Sequence, residues 1–137
     1  MSYLLDTNVI SEIVRKKPER LVVEWLEDVA DEALHLSVLS VGEIHKGVES
    51  LEDGRRKENL RRWLEHDLRK WFENRLLPVS VVVAERWGRL LAEVQRPVPA
   101  IDSLLAATAL AFDLRFVTRN EADFEFPGLE VINPWRS

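Results

Sequence analysis

Hydrophobic residues are arranged along the chain in two alternating patterns. Short apolar runs predict buried strands, and longer stretches with an apolar residue every three or four positions predict amphipathic helices. The predicted strands cover residues 3–5, 35–37, 76–79, 115–118 and 130–132. Because strands and helices alternate, the pattern predicts an α/β fold with a central five-stranded parallel sheet and helices on both faces, a three-layer arrangement.

Polar residues that cap helices, together with Gly and Pro, mark where the predicted helices begin and end. Ser40 and Ser80 are predicted N-caps, and Gly54 separates two helices. The stretch 100–112 is apolar on most sides, which indicates a central helix. The predicted helices cover residues 7–14, a segment beginning near 19, a segment from 40 to 51, residues 55–74, a segment beginning at 80 and residues 100–112.

Composition narrows the class of protein. With 137 residues, 46% hydrophobic and 31% charged, residues 1–137 are expected to form one folded domain. The absence of cysteine excludes disulfides and thiolate metal sites. No signal peptide pattern or apolar run of about 20 residues is found, so we expect a cytoplasmic protein that does not enter the membrane. A net charge of −5 argues against nucleic-acid binding by bulk positive charge, but not through metal ions.

Three acidic residues stand where a strand or loop gives way to a helix: Asp6, Glu43 and Asp102. A fourth polar group, Asn120 or Asp123, follows the fourth predicted strand. In parallel sheets, functional sites form beyond the carboxyl ends of the strands, so these side chains are expected to meet there. Close carboxylates repel one another unless a proton or a cation lies between them. Carboxylate oxygens are the ligands of hard cations such as Mg²⁺ and Mn²⁺.

Each acid taken singly also has a purely structural interpretation. Asp6 fits a helix N-cap, and Glu43 fits a capping box that begins at Ser40. Asp102 would stabilise a helix dipole, and Asp123 fits a turn. Only their combined placement favours a metal site.

Several segments in their order along the chain resemble the PIN-domain family, and most closely the VapC-type toxins with their FitB-like branch. These segments are 4–10 (LLDTNVI), 40–44 (SVGEI), 101–109 (IDSLLAATA), 117–124 (VTRNEADF) and 131–135 (VINPW). The resemblance covers nearly the whole chain. It implies a PIN-like fold and an endoribonuclease toxin in which a water activated by Mg²⁺ or Mn²⁺ attacks the RNA phosphodiester.

The resemblance also implies roles for individual residues. The metal ligands and catalytic acids would be Asp6, Glu43 and Asp102, with Asn8 and Thr118 orienting ligands or waters. The fourth position stays open, because many members carry Asp where this chain has Asn120, whereas others use the acid that corresponds to Asp123. The family further implies a homodimer and a cognate antitoxin protein as partners.

Two other functions remain open. The neutral Asn120 leaves room for a non-catalytic PIN-like module that binds RNA or protein. A metal-dependent phosphotransfer domain would call for a second acid beside Asp6, which Thr7 and Asn8 do not provide. Basic residues give a weaker indication of RNA contact, at Arg15, Lys16 and Lys17. The tryptophans on helix stripes predict packing, while Trp135 is compatible with packing or base stacking.

Overall fold

The computed structural model describes residues 1–136, and its centre is a five-stranded parallel sheet with strand order β3-β2-β1-β4-β5. The strands are β1 (Tyr3–Leu5), β2 (Leu34–Ser37), β3 (Leu76–Leu77), β4 (Arg115–Val117) and β5 (Val131–Ile132). All four strand pairs are parallel. The chain order runs outward from β1 in both directions, so β1 is central. The predicted α/β fold is confirmed.

Helices connect the strands. They are α1 (Thr7–Ile13), α2 (Arg20–Asp28), α3 (Val38–Glu49), α4 (Arg55–Arg62), α5 (Arg69–Trp71), α6 (Val81–Val94) and α7 (Ala100–Ala111). A π-helical stretch, Trp63–Leu68, joins α4 to α5, and 3₁₀ turns span Asp31–Ala33 and Glu121–Phe124. Within residues 1–136, none of these helices combines the length and apolar character needed to cross a membrane.

The alternation of side chains along each strand builds two hydrophobic cores, one on each face of the sheet. Leu5 and Val117 point into the core that packs against α1 to α5. Leu4 and Phe116, their neighbours in sequence, point into the other core, formed with α6 and α7. The central helix α7 contributes a buried row of small residues, as its apolar sequence predicts.

The start of α3 differs from the prediction. This helix begins at Val38 and is capped by Ser37, whose hydroxyl accepts a hydrogen bond from the Leu39 amide at 3.0 Å. Ser40 lies inside the helix and is buried, so the predicted capping box from Ser40 to Glu43 is wrong. The reason is that β2 pairs with β1 only as far as Leu36 and ends at Ser37, where the helix takes over.

Two other predicted elements are shorter than expected. Strand β3 ends at Leu77 instead of residue 79, because its partner β2 ends at Ser37 and offers no further ladder. The long helix predicted to reach residue 74 ends at Trp71. There the Arg75 guanidinium donates to the Trp71 carbonyl oxygen, a group that a longer helix would have used, and also to the carbonyl oxygen of Asp31 in a separate turn.

Candidate active site

Asp6 lies at the carboxyl end of the central strand β1 and begins helix α1. Its side chain is only 7% exposed. As the N-cap, its Oδ1 accepts a hydrogen bond from the Thr7 amide at 2.8 Å, while Oδ2 accepts one from the Thr118 hydroxyl at 2.7 Å. Asp6 therefore caps a helix, as the structural interpretation proposed, and also stands at the sheet edge where a functional site was predicted.

The Thr118 hydroxyl joins three segments of the chain at this edge. It follows β4, the neighbour of β1, and is fully buried. Besides donating to Asp6, its oxygen accepts from the Asn120 amide at 3.0 Å and from Asn8 Nδ2 at 3.3 Å. These bonds fix the Asp6 carboxylate relative to α1 and to the chain after β4. That Asn8 and Thr118 orient metal ligands or waters stays a prediction.

Glu43 reaches the same edge from α3. Its side chain is exposed, and its Oε1 accepts a hydrogen bond from the Thr7 hydroxyl at 2.6 Å. Glu43 thus turns towards α1 instead of back to its own helix terminus. The sequence did not single out Thr7 as a site residue, although it stands between Asp6 and Asn8 in the motif that the family resemblance covers.

Electrostatic effects show that the acids lie close enough to influence one another. Burial raises the pKa of Asp6 from its ordinary 3.8 to about 6. The hydrogen bonds from Thr118 and Thr7 oppose this rise. The negative charges of Glu43 and Asp102 add to it. A carboxylate with this pKa still loses its proton at neutral pH, but at a cost that a cation would remove.

Asp102 lies in the first turn of α7 and is half-buried. Burial raises its pKa, and the carboxylates of Asp123 and Glu43 raise it further. Asp123 is on the 3₁₀ turn after β4 and is exposed. The sheet and its helices therefore bring four acids from four segments into one electrostatic neighbourhood. Asn120 is exposed at the same loop, and its backbone is bonded to Thr118.

The oxygen atoms at this edge are suitable ligands for a hard cation, but they do not form a closed coordination site. Within residues 1–136, no three acidic or imidazole groups form a ready-made metal ligand set. The oxygens present are nevertheless carboxylate and amide oxygens, which Mg²⁺ and Mn²⁺ prefer, and Mg²⁺ usually keeps several waters as ligands. In the described part of the chain no donor reaches the buried Asn8 Oδ1, an orphaned acceptor next to Thr118. An open, partly hydrated site therefore fits these residues.

The basic residues that follow α1 are found in two different states. Arg15 is bonded to Glu12 at 3.2 Å, although most of its side chain is exposed. Lys16 and Lys17 are exposed, and Lys16 lies next to Arg55 and Arg56 of α4 along a surface groove. Lys16 thus brings the basic residues after α1 next to those at the start of α4.

An apolar groove runs between α1, α3 and α4. Its wall is formed by Val14, Ile44, Val48, Leu51, Leu60 and Trp63. Glu43 stands at this groove as well, and Arg56 connects it with the neighbouring basic groove. An apolar surface therefore adjoins an acidic edge.

The sequence patterns did not predict that Glu12 is buried and bonded to the end of the chain. Glu12 is 4% exposed and accepts a hydrogen bond from the Trp135 indole at 3.1 Å. Its position three residues after the buried Val9 places it on the inner face of α1, which was the available signal. Trp135 packs against the core around Leu5, so the packing alternative for this residue is the observed one.

The fold and the acidic edge match a known class. The PIN-domain family model matches residues 3–126. The VapC ribonuclease Y4jK of Sinorhizobium fredii is 33% identical, over 96% of this chain and 96% of its own. The toxin FitB of Neisseria gonorrhoeae is 36% identical, over 96% of this chain and 97% of its own. The crystal structure of FitAcB from Neisseria gonorrhoeae superimposes with a TM-score of 0.90 at 35% identity, covering 98% of this chain and 99% of that one.

These similarities assign the fold to the PIN-domain class, with the acidic residues at the carboxyl ends of the central strands. The chain belongs to the PIN-domain family, in the branch that contains the VapC and FitB toxins. The resemblance inferred from the sequence motifs is thereby confirmed.

Proposed function

We propose that this protein is an endoribonuclease toxin of a type II toxin–antitoxin pair, acting in the cytoplasm with Mg²⁺ or Mn²⁺. The observation that carries the proposal is the convergence of four carboxylates, Asp6, Glu43, Asp102 and Asp123, at one edge of the sheet, where the inner two have raised pKa values. The family supports the reaction class, since its relatives include a protein named VapC ribonuclease.

A divalent cation, when bound, supplies an activated water and stabilises charge on the scissile phosphate. Residues of the chain would hold and orient it. Asp6, whose carboxylate accepts a hydrogen bond from Thr118, would be the innermost ligand, and Asp102 would contribute from α7. Glu43 would complete the set from α3, with its carboxylate aimed by the Thr7 hydroxyl.

The fourth acidic position is best assigned to Asp123. Its carboxylate raises the pKa of Asp102, so the two side chains interact. Asn120 carries no charge and has a different role, because its backbone amide donates a hydrogen bond to the Thr118 hydroxyl oxygen. We propose that its side-chain carbonyl serves as a neutral ligand or holds a water.

Partners follow from the surface around the site. Solved structures that resemble this chain include a toxin–antitoxin complex from Klebsiella pneumoniae, and we propose that a cognate antitoxin occupies the apolar groove between α1, α3 and α4, beside Glu43. RNA phosphates would contact the adjacent basic side chains of Arg15, Lys16 and Lys17. A homodimer is part of the same proposal, with the exposed Val81 and Val82 at the start of α6 available for packing.

The decisive experiment compares wild type with Asp102→Asn on single-stranded RNA, with Mg²⁺ or Mn²⁺ and with EDTA. We expect wild type to cut only with the metal and the variant to cut at least about 100-fold more slowly. Asp113→Asn, just beyond the opposite end of α7, is the matched control and should cut like wild type.

Two outcomes would contradict the proposal. Equal cutting by wild type and Asp102→Asn would remove Asp102 from the mechanism. If freshly purified wild type binds its antitoxin but cuts no RNA with either metal, the non-catalytic module, which the neutral Asn120 favours, would replace the nuclease.

A further inference from the structure

Three residues near the end of the described chain form hydrogen bonds that neither the fold nor the proposed reaction explains. Asn133, Pro134 and Trp135 follow β5, and we call them the C-terminal strap. The Trp135 indole Nε1 donates to the buried carboxylate of Glu12 at 3.1 Å. Its backbone amide donates to Asn133 Oδ1 at 2.9 Å, which closes the strap into a compact turn.

Glu12 is a demanding anchor for this contact, since a buried carboxylate is costly unless its lone pairs are satisfied. It is 4% exposed. Besides the indole, it accepts from the Glu19 amide at 3.1 Å and from the Arg15 guanidinium at 3.2 Å. Burial raises the pKa of Glu12, but the donors outweigh burial and bring the pKa below its ordinary value. The anchor is therefore an ionised group with well-defined partners.

The other end of the strap holds the loop after β4. Asn133 Nδ2 donates to the Glu121 carboxylate at 3.0 Å and to the Arg119 carbonyl at 3.4 Å. The Arg119 guanidinium lies 5.7 Å from the centre of the Trp135 ring, a cation–π contact. The strap thus contacts the residues on both sides of Asn120.

These contacts close a ring with the active-site edge. The Asn120 amide is bonded to Thr118, which is bonded to Asp6 and Asn8 at the N-terminal end of α1. Glu12 lies at the C-terminal end of the same helix. Both ends of α1 are therefore fastened to the loop after β4, one through Thr118 and the other through the strap.

We infer that the C-terminal strap positions the acidic site: by clamping the loop after β4 against α1, it sets the place of Asn120 and Asp123 relative to Asp6. The inference rests on the proposed nuclease function and adds Glu12, Trp135 and Asn133 as positioning residues. Groups that orient metal ligands from behind change metal affinity by about 10- to 100-fold when removed.

The test uses Trp135→Phe, which keeps an aromatic side chain but removes the indole N–H and part of the ring system. Its matched control is Trp71→Phe, which removes an equivalent bond, from Trp71 Nε1 to Asp31 at 3.2 Å, outside this ring of contacts. Asn133→Ala breaks the strap at its other end. All proteins are studied in full length, well below their unfolding temperatures.

Three readouts are needed. Hydrogen exchange of the metal-free proteins should show amides 119–124 exchanging at least about tenfold faster in Trp135→Phe and Asn133→Ala, with no such change in Trp71→Phe. Calorimetric titration with Mn²⁺ should show about tenfold weaker binding for the two strap variants alone. In RNA cutting, the metal concentration for half-maximal rate should rise in parallel, and excess Mn²⁺ should restore the rate.

The outcomes separate the two proposals. If wild type binds Mn²⁺ and cuts RNA but the strap variants match Trp71→Phe in exchange or in Mn²⁺ affinity, the positioning role is wrong and the nuclease stands. If wild type neither binds Mn²⁺ nor cuts RNA, the proposed function fails and the strap proposal falls with it.

Discussion

The burial of Asp6 makes the stability of the metal-free protein depend on pH. In the folded state its pKa is about 6, against an ordinary 3.8 for an exposed aspartate. Between these values the folded protein binds more protons than the unfolded chain. By linkage, stability therefore increases as the pH falls through 6, and the cost of the buried charge is present in full above it.

The size of this effect follows from the two pKa values. Lowering the pH from 7.5 to 5 should stabilise the folded state by about 1.4 kcal/mol through Asp6 alone. Asp102 acts in the same direction, because its pKa is also raised. In Asp6→Asn the helix cap is kept, since Asn caps as well as Asp, while the titrating charge is gone. Comparing the two proteins isolates the contribution of Asp6, because Asp102 titrates in both.

The assay is urea denaturation in EDTA at pH 7.5 and 5, with the free energy of unfolding extrapolated to water. Wild type should gain about 1.4 kcal/mol more than Asp6→Asn on acidification. At pH 7.5, Mn²⁺ should stabilise wild type and leave the variant unchanged, because the cation takes over the role of the proton. If the stability of both proteins changes equally with pH, burial does not destabilise the ionised form of Asp6 as the structure indicates.

Further predictions concern three other contacts. Thr7→Val removes the hydroxyl that aims Glu43 and should raise the Mn²⁺ concentration for half-maximal RNA cutting about tenfold, while Thr7→Ser restores it; equal values for the two variants would show that the hydroxyl is irrelevant. Phe116→Ala should lower the free energy of unfolding by about 3–5 kcal/mol, measured in urea, because the ring is fully buried 4.3 Å from Phe124; a loss below about 1 kcal/mol would contradict the packing. Lys16→Ala should weaken RNA binding and reduce its salt-dependence slope by about 1 in filter binding, whereas an unchanged slope would place Lys16 away from phosphate.

Much of the fold could be predicted from the sequence because strands and helices leave local patterns. Leu4 and Leu5 alternate between the two faces of the sheet, and the apolar α7 is central, as its composition requires. The edge of the sheet where Asp6 lies followed from the strand–helix order alone. Element ends were harder: Ser37 and Ser40 are both acceptable N-caps, and the pairing of β2 with β1, which is not a local property, selected Ser37.

The hydrogen-bond partners of Glu43 and Glu12 could not be predicted, because these bonds join residues far apart in the chain. The bond from Thr7 to Glu43 spans 36 positions, and the bond from Trp135 to Glu12 spans 123. Periodicity tells which face of a helix is buried, but not which polar groups on different elements meet. The placement of the acids at element ends, together with the family resemblance, indicated Asp6, Glu43 and Asp102, whereas the three-dimensional structure was needed to find Thr7 beside Glu43.

The neutral Asn120 has a physical consequence for the charge at this edge. With Asp6, Glu43, Asp102 and Asp123 ionised, the site carries four negative charges, and their repulsion adds to the rise that burial causes in the pKa of Asp6 and Asp102. An aspartate at position 120 would add a fifth charge on the loop that the Thr118 hydroxyl holds. Its repulsion would favour protonation or demand a second cation. With Asn120 in that place, a single divalent cation leaves less uncompensated charge. Asn in place of Asp at position 120 thus favours a site that would function with fewer metal ions over a site that has lost its activity.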